Sequence, residues 1–213
     1  PTLSIVVVGS VAFDSITTPF GHVDRALGGS ATYFSVAASY FTDVKLVATV
    51  GEDFTDEVMG VFAGRRIDTA GMTRVKGGRT FFWSGEYGFD LNVAKTRDTQ
   101  LNVFAEFSPK LPDDYRGADV LFLANIDPEL QHEVRKQMRA PKLVALDTMN
   151  YWITSKKDAL AKVMGDVDLI LINEAEVRQF TGRANLVKGA REILALGPKT
   201  LVVKRGEYGV LMI

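Results

Sequence analysis

Several short runs carry residue types that could bind or transform a small polar molecule. Asp14 closes the run Gly9-Ser10-Val11-Ala12-Phe13-Asp14, just past a β-branched stretch. An ionised carboxylate there can accept hydrogen bonds from paired hydroxyls, as in a sugar or nucleoside. It can equally cap a turn by bonding its own backbone. Gly28-Gly29-Ser30-Ala31-Thr32-Tyr33 opens a helical pattern. The glycines let a ligand approach the backbone and aim free N–H groups at it, or they serve as a joint with Ser30 as cap. Asn173-Glu174-Ala175-Glu176 follows an apolar run. The spacing of Asn173 and Glu176 is that of a capping box, and it also sets an amide and a carboxylate beside a helix start, within reach of a phosphate-bound Mg²⁺ through water. In Val50-Gly51-Glu52-Asp53, the glycine suits a tight turn and Asp53 suits a helix cap. Lys204 and Arg205 end another apolar run, as phosphate contacts or as solvated charges.

These residues need elements to hold them. Ile5–Gly9, Lys45–Val50, Val120–Ala124, Leu143–Leu146, Leu169–Ile172 and Leu201–Val203 read as short strands buried on both faces. Helical patterns fall at Ser30–Phe41, Glu129–Met138, Ser155–Met164, Glu174–Phe180 and Leu186–Leu196. Alternation of the two predicts an α/β fold, a mostly parallel sheet covered on both sides. Residues 10–24 and 73–106 break the rhythm and predict a small inserted antiparallel sheet, leaving 1–9, 25–72 and 107–213 as the α/β core. Asp14 would then sit at the carboxyl end of the first strand, where open α/β sheets bind ligands. Asp147 and Asn150 fall on the same side.

The 213 residues suit one domain with an appendage, and 46% hydrophobic content excludes a disordered chain. Lys plus Arg number 25 against 26 acidic residues, which gives no footprint for nucleic acid. The absence of cysteine excludes disulfides and thiolate metal sites. No apolar run of membrane-spanning length and no secretory leader pattern occurs, so the expected location is the cytoplasm, away from membranes. His22 and His132 stand alone in sequence. Neither Gly-x-Gly-x-x-Gly after the first strand nor a Gly-Lys pair is present, so the two common phosphate loops are excluded. The chain stops at Gly209-Val210-Leu211-Met212-Ile213, within a strand pattern, which reads as a cut rather than a finished edge.

Taken in order, Gly9 to Asp14, Gly28-Gly29-Ser30-Ala31, Val50 to Asp53, Asn173 to Glu176 and Val203-Lys204-Arg205-Gly206-Glu207-Tyr208-Gly209 resemble the ribokinase-like (PfkB) carbohydrate kinases. The resemblance implies a three-layer sandwich whose small β-sheet acts as a lid, often pairing with a second copy, hence a homodimer. It implies ATP- and Mg²⁺-dependent phosphorylation of a hydroxymethyl group on a sugar, nucleoside or related molecule. Asp14, Gly28, Gly29, Ser30 and Tyr33 would meet the substrate. Tyr33 stands where the family usually has Asn, which implies a substrate unlike ribose. Asn173, Glu176, Lys204 and Gly206 would border the nucleotide, with Glu176 reaching the metal through water. The family's Asp-x-x-Gly-Ala-Gly-Asp run, which supplies the catalytic base and an anion hole, is not among these residues. No catalytic residue is therefore assigned, and these 213 residues alone are expected to be inactive. A non-catalytic binding module of the same fold is the alternative. A nucleotide-binding α/β protein of another family fits less well, since both phosphate loops are absent.

Overall fold

The computed structural model describes residues 3–213. The chain runs through β1 (Ser4–Val8), β2 (Ala12–Thr18), β3 (Gly21–Gly28), α1 (Ser30–Ala38) and β4 (Asp43–Gly51). A single turn, α2 (Asp56–Met59), leads to β5 (Ile67–Val75), β6 (Phe81–Tyr87) and β7 (Ala94–Gln100). Strands and helices then alternate: β8 (Val120–Leu123), α3 (Pro128–Gln137), β9 (Leu143–Asp147), α4 (Asn150–Ser155), α5 (Lys157–Gly165), β10 (Leu169–Asn173), α6 (Glu174–Thr181), α7 (Leu186–Leu194), β11 (Thr200–Lys204) and β12 (Val210–Met212).

Eight strands form one sheet in the order β12-β11-β10-β9-β8-β1-β4-β5. Every neighbouring pair is parallel except β11 with β12. The chain first builds outward from β1 through β4 and β5, then returns to β8 on the other side. The gap between β1 and β8 is thus the switch point where crossovers diverge and a crevice opens. Val6, Val7 and Val8 are fully buried, as expected of a β-branched strand sandwiched between layers. One face packs Val134 of α3, Leu160 and Val163 of α5, Val177 of α6 and Ile193 of α7 against Leu121, Leu146 and Ile170. The other packs Ala31 of α1 against Val7, Leu46 and Phe122, with Phe34 stacked on Phe122 at 3.6 Å between ring centres.

A second sheet of four strands has the order β3-β2-β6-β7. β2 and β3 form one antiparallel hairpin and β6 and β7 another, but the seam between hairpins is parallel, Ala12 opposite Phe81. The expected wholly antiparallel sheet is corrected at that seam: the two hairpins come from separate crossings out of the body and meet side by side. The limits also shift. β3 carries the small sheet on to Gly28, because Ala26, Leu27 and Gly28 find partners on β2 beyond a bulge at Asp24 and Arg25. β5 keeps Thr73 to Val75 in the main sheet beside Thr49 to Gly51. Asn102–Glu106 is a 3-10 turn rather than a strand, since Phe104 buries itself against Phe81 and Phe107. Asp53 does not cap α2. Thr55 does, and Asp53 instead accepts from the Thr80 N–H and hydroxyl, both at 2.7 Å, where the chain crosses into β6. Burial would raise the Asp53 carboxyl, but Thr80 and Arg25 outweigh it and hold it below the usual range. No helix among the described residues is long and apolar enough to cross a membrane.

Candidate functional site

At the switch point, Ser10 follows β1 and reaches the start of α1. Its Oγ accepts from the Ser30 N–H at 3.2 Å and its carbonyl from the Ala31 N–H at 3.0 Å. The Ser30 and Ala31 N–H groups are therefore used within the chain. Gly29, not Ser30, occupies the cap position, with φ +93°. A Cβ there would strike the Ser10 carbonyl, so glycine is required on both counts. A Cβ on Gly28 would run into the Asp14 carboxyl group. Gly28 thus makes room for Asp14, and Gly29 for the Ser10 carbonyl. Asp14 comes from β2 and is half-buried, and burial pushes its carboxyl up to about 6. The Ser30 hydroxyl accepts from the Asn125 N–H at 2.8 Å, and Asn125 Oδ1 accepts from Trp152 Nε1 at 3.0 Å. A cavity of about 180 Å³ lies among Asp14, Gly29, Ser30, Asn125, Trp83 and Met149.

At the other end, the strand ends of β9, β10 and β11 bring Asp147, Asn173 and Lys204 together, with Asn173 directly opposite Lys204. The capping box is closed on both sides: Asn173 Oδ1 accepts from the Glu176 N–H at 2.8 Å, and Glu176 Oε2 from the Asn173 N–H at 2.9 Å. Glu176 is buried, and burial pushes its carboxyl up to about 7 despite those bonds. Burial also raises Asp147, opposed by Lys204 Nζ at 3.2 Å. A cavity of about 360 Å³ joins Asn173 and Glu176 to Trp83, Asn92 and Asn150. Among the described residues no group of three or more His, Cys, Asp or Glu side chains is placed to hold a metal.

Between the ends lies an aromatic cavity of about 270 Å³, walled by Phe81, Phe104, Tyr151, Trp152 and Met149, with Thr96 and Thr99 at its edge. It shares Phe81, Asn125 and Met149 with the Asp14 cavity, and Thr96, Met149 and Asn150 with the Glu176 cavity. The three form one groove, floored by the carboxyl ends of the parallel strands and roofed by the small sheet.

The model of the pfkB family carbohydrate kinases matches residues 2–213. The chain belongs to this family. A cytidine kinase of Thermococcus kodakarensis is 27% identical over 215 residues, spanning 99% of this chain and 76% of that protein. Two solved structures show the fold. Adenosine kinase of Sinorhizobium meliloti gives a TM-score of 0.77 at 16% identity, covering 100% of this chain and 77% of its own. A putative ribokinase II of E. coli, in complex with ATP and Mg²⁺, gives 0.76 at 14%, covering 99% and 75%.

In this pfkB chain the groove gathers Asp14, Gly29, Ser30, Asn173 and Glu176, with Gly28 directly behind the Asp14 carboxyl. Tyr33 stands apart: it is 64% exposed and its hydroxyl donates to the Leu27 carbonyl at 2.9 Å. Lys204 lines none of the three cavities, and its Nζ pairs with Asp147 Oδ1 at 3.2 Å. Gly206 follows β11 in a left-handed turn with φ +56°, beside the Glu176 cavity rather than lining it. Asn125 and Met149 are contributors that motif reading overlooks. A polar residue directly after a buried strand at the switch point was the available signal for Asn125. His22 and His132 are not isolated in space, lying 3.0 Å from Asp24 and 2.9 Å from Asp166.

Proposed function

We propose that this chain binds a nucleoside, or a sugar of similar reach, for phosphorylation of its hydroxymethyl group by ATP. The observation that carries the reading is the continuity of the groove: a carboxylate at one end, an aromatic cavity beside it and an amide–carboxylate pair at the far end. Asp14 would accept the paired hydroxyls of the sugar. Gly28, Gly29 and Ser30 would shape its bed, with Tyr33 at the outer margin. Phe81, Tyr151 and Trp152 suit the apolar faces of a nucleobase, which favours a nucleoside over a bare sugar, and the cytidine kinase relative points the same way. Asn173, Glu176, Lys204 and Gly206 would border the ATP phosphates.

Glu176 fits the role of holding Mg²⁺ through a water, because its raised pKa marks a buried carboxylate whose charge the chain alone under-compensates. When bound with the phosphates, the ion neutralises charge that develops on the transferred group. Transfer makes a bond from the substrate oxygen to phosphorus, breaks the bond to ADP and sends the hydroxyl proton to a base. The run Asp-x-x-Gly-Ala-Gly-Asp that would supply that base is not among these residues. Such a base contributes about 10²- to 10⁴-fold, so these 213 residues alone are proposed to bind without appreciable turnover. The small sheet would act as the lid and as the surface for a homodimer, in the cytoplasm.

The test is calorimetric titration with cytidine, other nucleosides and free pentoses, paired with ADP release from Mg-ATP. Nucleoside binding that is tighter than pentose binding is expected. Failure to bind any nucleoside or sugar sinks the reading, and rapid ADP release by the 213 residues sinks the claim of inactivity.

A further inference from the structure

The loop between β6 and β7 holds a backbone outlier. Leu91 adopts φ +53°, a left-handed backbone that bulky side chains avoid. Local bonds hold it there: the Leu91 N–H donates to the Gly88 carbonyl at 3.1 Å, and the Asn92 N–H to Asp90 Oδ1 at 3.3 Å. Backbone strain that the surroundings enforce is a pointer to function. Here its product is the placement of Asn92. The Asn92 side chain lies over the Gly206 turn so closely that any Cβ on Gly206 would collide with Asn92 Oδ1. The same side chain lines the cavity of Asn173 and Glu176. Asn92 is exposed, and among the described residues its side-chain amide has no hydrogen-bonding partner within the chain.

A free amide N–H, the Lys204 ammonium and the start of α6 share one ligand chemistry, a phosphoryl oxyanion. We propose that Asn92 is a direct ligand of the phosphoryl donor, its Nδ2 donating to a phosphate oxygen, with the strained Leu91 turn aiming it. The inference rests on the reading above that ATP phosphates lie at the β10/β11 end. It adds a contact from the small sheet, which also carries Asp14. Occupancy of the two ends is then coupled, each substrate tightening the other by the same factor.

The test is titration of the chain with Mg²⁺ and the non-hydrolysable β,γ-imido analogue of ATP, for wild type, N92A and N92D, with cytidine titrated separately. Losing a hydrogen bond to a charged group predicts about tenfold or more weaker analogue binding in N92A. N92D should be weaker still, through charge repulsion, while cytidine affinity stays within about twofold in all three. Equal analogue affinity in the three proteins overturns the proposal and leaves the ATP reading standing. Equal losses of analogue and cytidine affinity would mean that Asn92 merely supports the fold, and overturn it too. Wild type that binds cytidine but no analogue overturns the ATP reading at this end and the proposal with it.

Discussion

At the β10/β11 end of the groove, Asn173 and Glu176 close their capping box within one helical turn, directly after a buried strand. At the β1/β8 end, Asp14 arrives on β2, Gly28 on β3, Ser30 on α1 and Asn125 after β8. The capping box is local and stiff, and Asn173 and Glu176 would keep their geometry if the small sheet shifted, although Trp83 and Asn92 from that sheet also wall the cavity there. The second end exists only while two sheets stay in register. A local box would suit the proposed role of holding phosphates, whereas a composite pocket could be assembled around a substrate.

The sharpest way to break the composite end is Gly28→Ala. The new Cβ would displace the Asp14 carboxyl, and loss of charge-assisted bonds to two hydroxyls should weaken nucleoside binding about 100-fold. Analogue binding at the other end should hold, and a parallel loss at both ends would show that the ends are not separable. Asp14→Asn should cost about tenfold at pH 8. It should also flatten the pH profile. Wild-type nucleoside affinity should fall as pH drops through about 6, where the buried Asp14 carboxyl takes a proton and can no longer accept from both hydroxyls. A wild-type profile without that inflection would refute Asp14 as the acceptor.

Glu176→Gln sharpens the comparison from the local end through stability. The Glu176 carboxyl titrates near 7 in the folded chain against 4.5 ordinarily, so folded protein holds a proton that unfolded chain releases. Its penalty is absent below the ordinary value, grows as pH rises towards 7 and then stays constant. The neutral variant should therefore be more stable at pH 8 by about 1–3 kcal/mol, a difference that vanishes near pH 4, as denaturant titrations at the two pH values would reveal. Tyr33→Phe should change least. It removes one exposed bond to the Leu27 carbonyl, so nucleoside affinity should stay within about twofold.

Much of this architecture is legible in the sequence, for identifiable reasons. The strands β1, β4, β8 and β9 are largely buried on both faces, and unbroken apolar runs announce that, whereas β10 and β11, expected to be the same, are fully buried on one face only. The Asn173–Glu176 box is a contact between near neighbours, which spacing alone can specify. What sequence hides is pairing over distance. Asp53 looks like a cap for the next helix, yet Thr80, far along the chain, claims both of its bonds. Leu101 to Glu106 alternates like a strand, but stacking of Phe104 on Phe81 and Phe107 rolls it into a turn. Helix α4 lies ahead of the helix expected from Ser155, and the non-helical Lys156, at φ −140°, divides it from α5, while its Trp152 meets Asn125. Tyr33 shares a motif with Gly28 and Gly29 but is exposed, bonds to the Leu27 carbonyl and lines none of the three cavities.

The parallel seam of β2 with β6 bears on how the molecule comes together in time. Each hairpin can form by itself, but isolated hairpins are marginal in water. The seam joins Ala12 to Phe81 across β4 and β5, so closing it waits until those strands are placed. It should be among the last structure gained on folding and the first lost in partial opening, with β2 and β6 amides exchanging ahead of those in β1. The pocket around Asp14 would then have a lifetime shorter than that of the molecule that carries it.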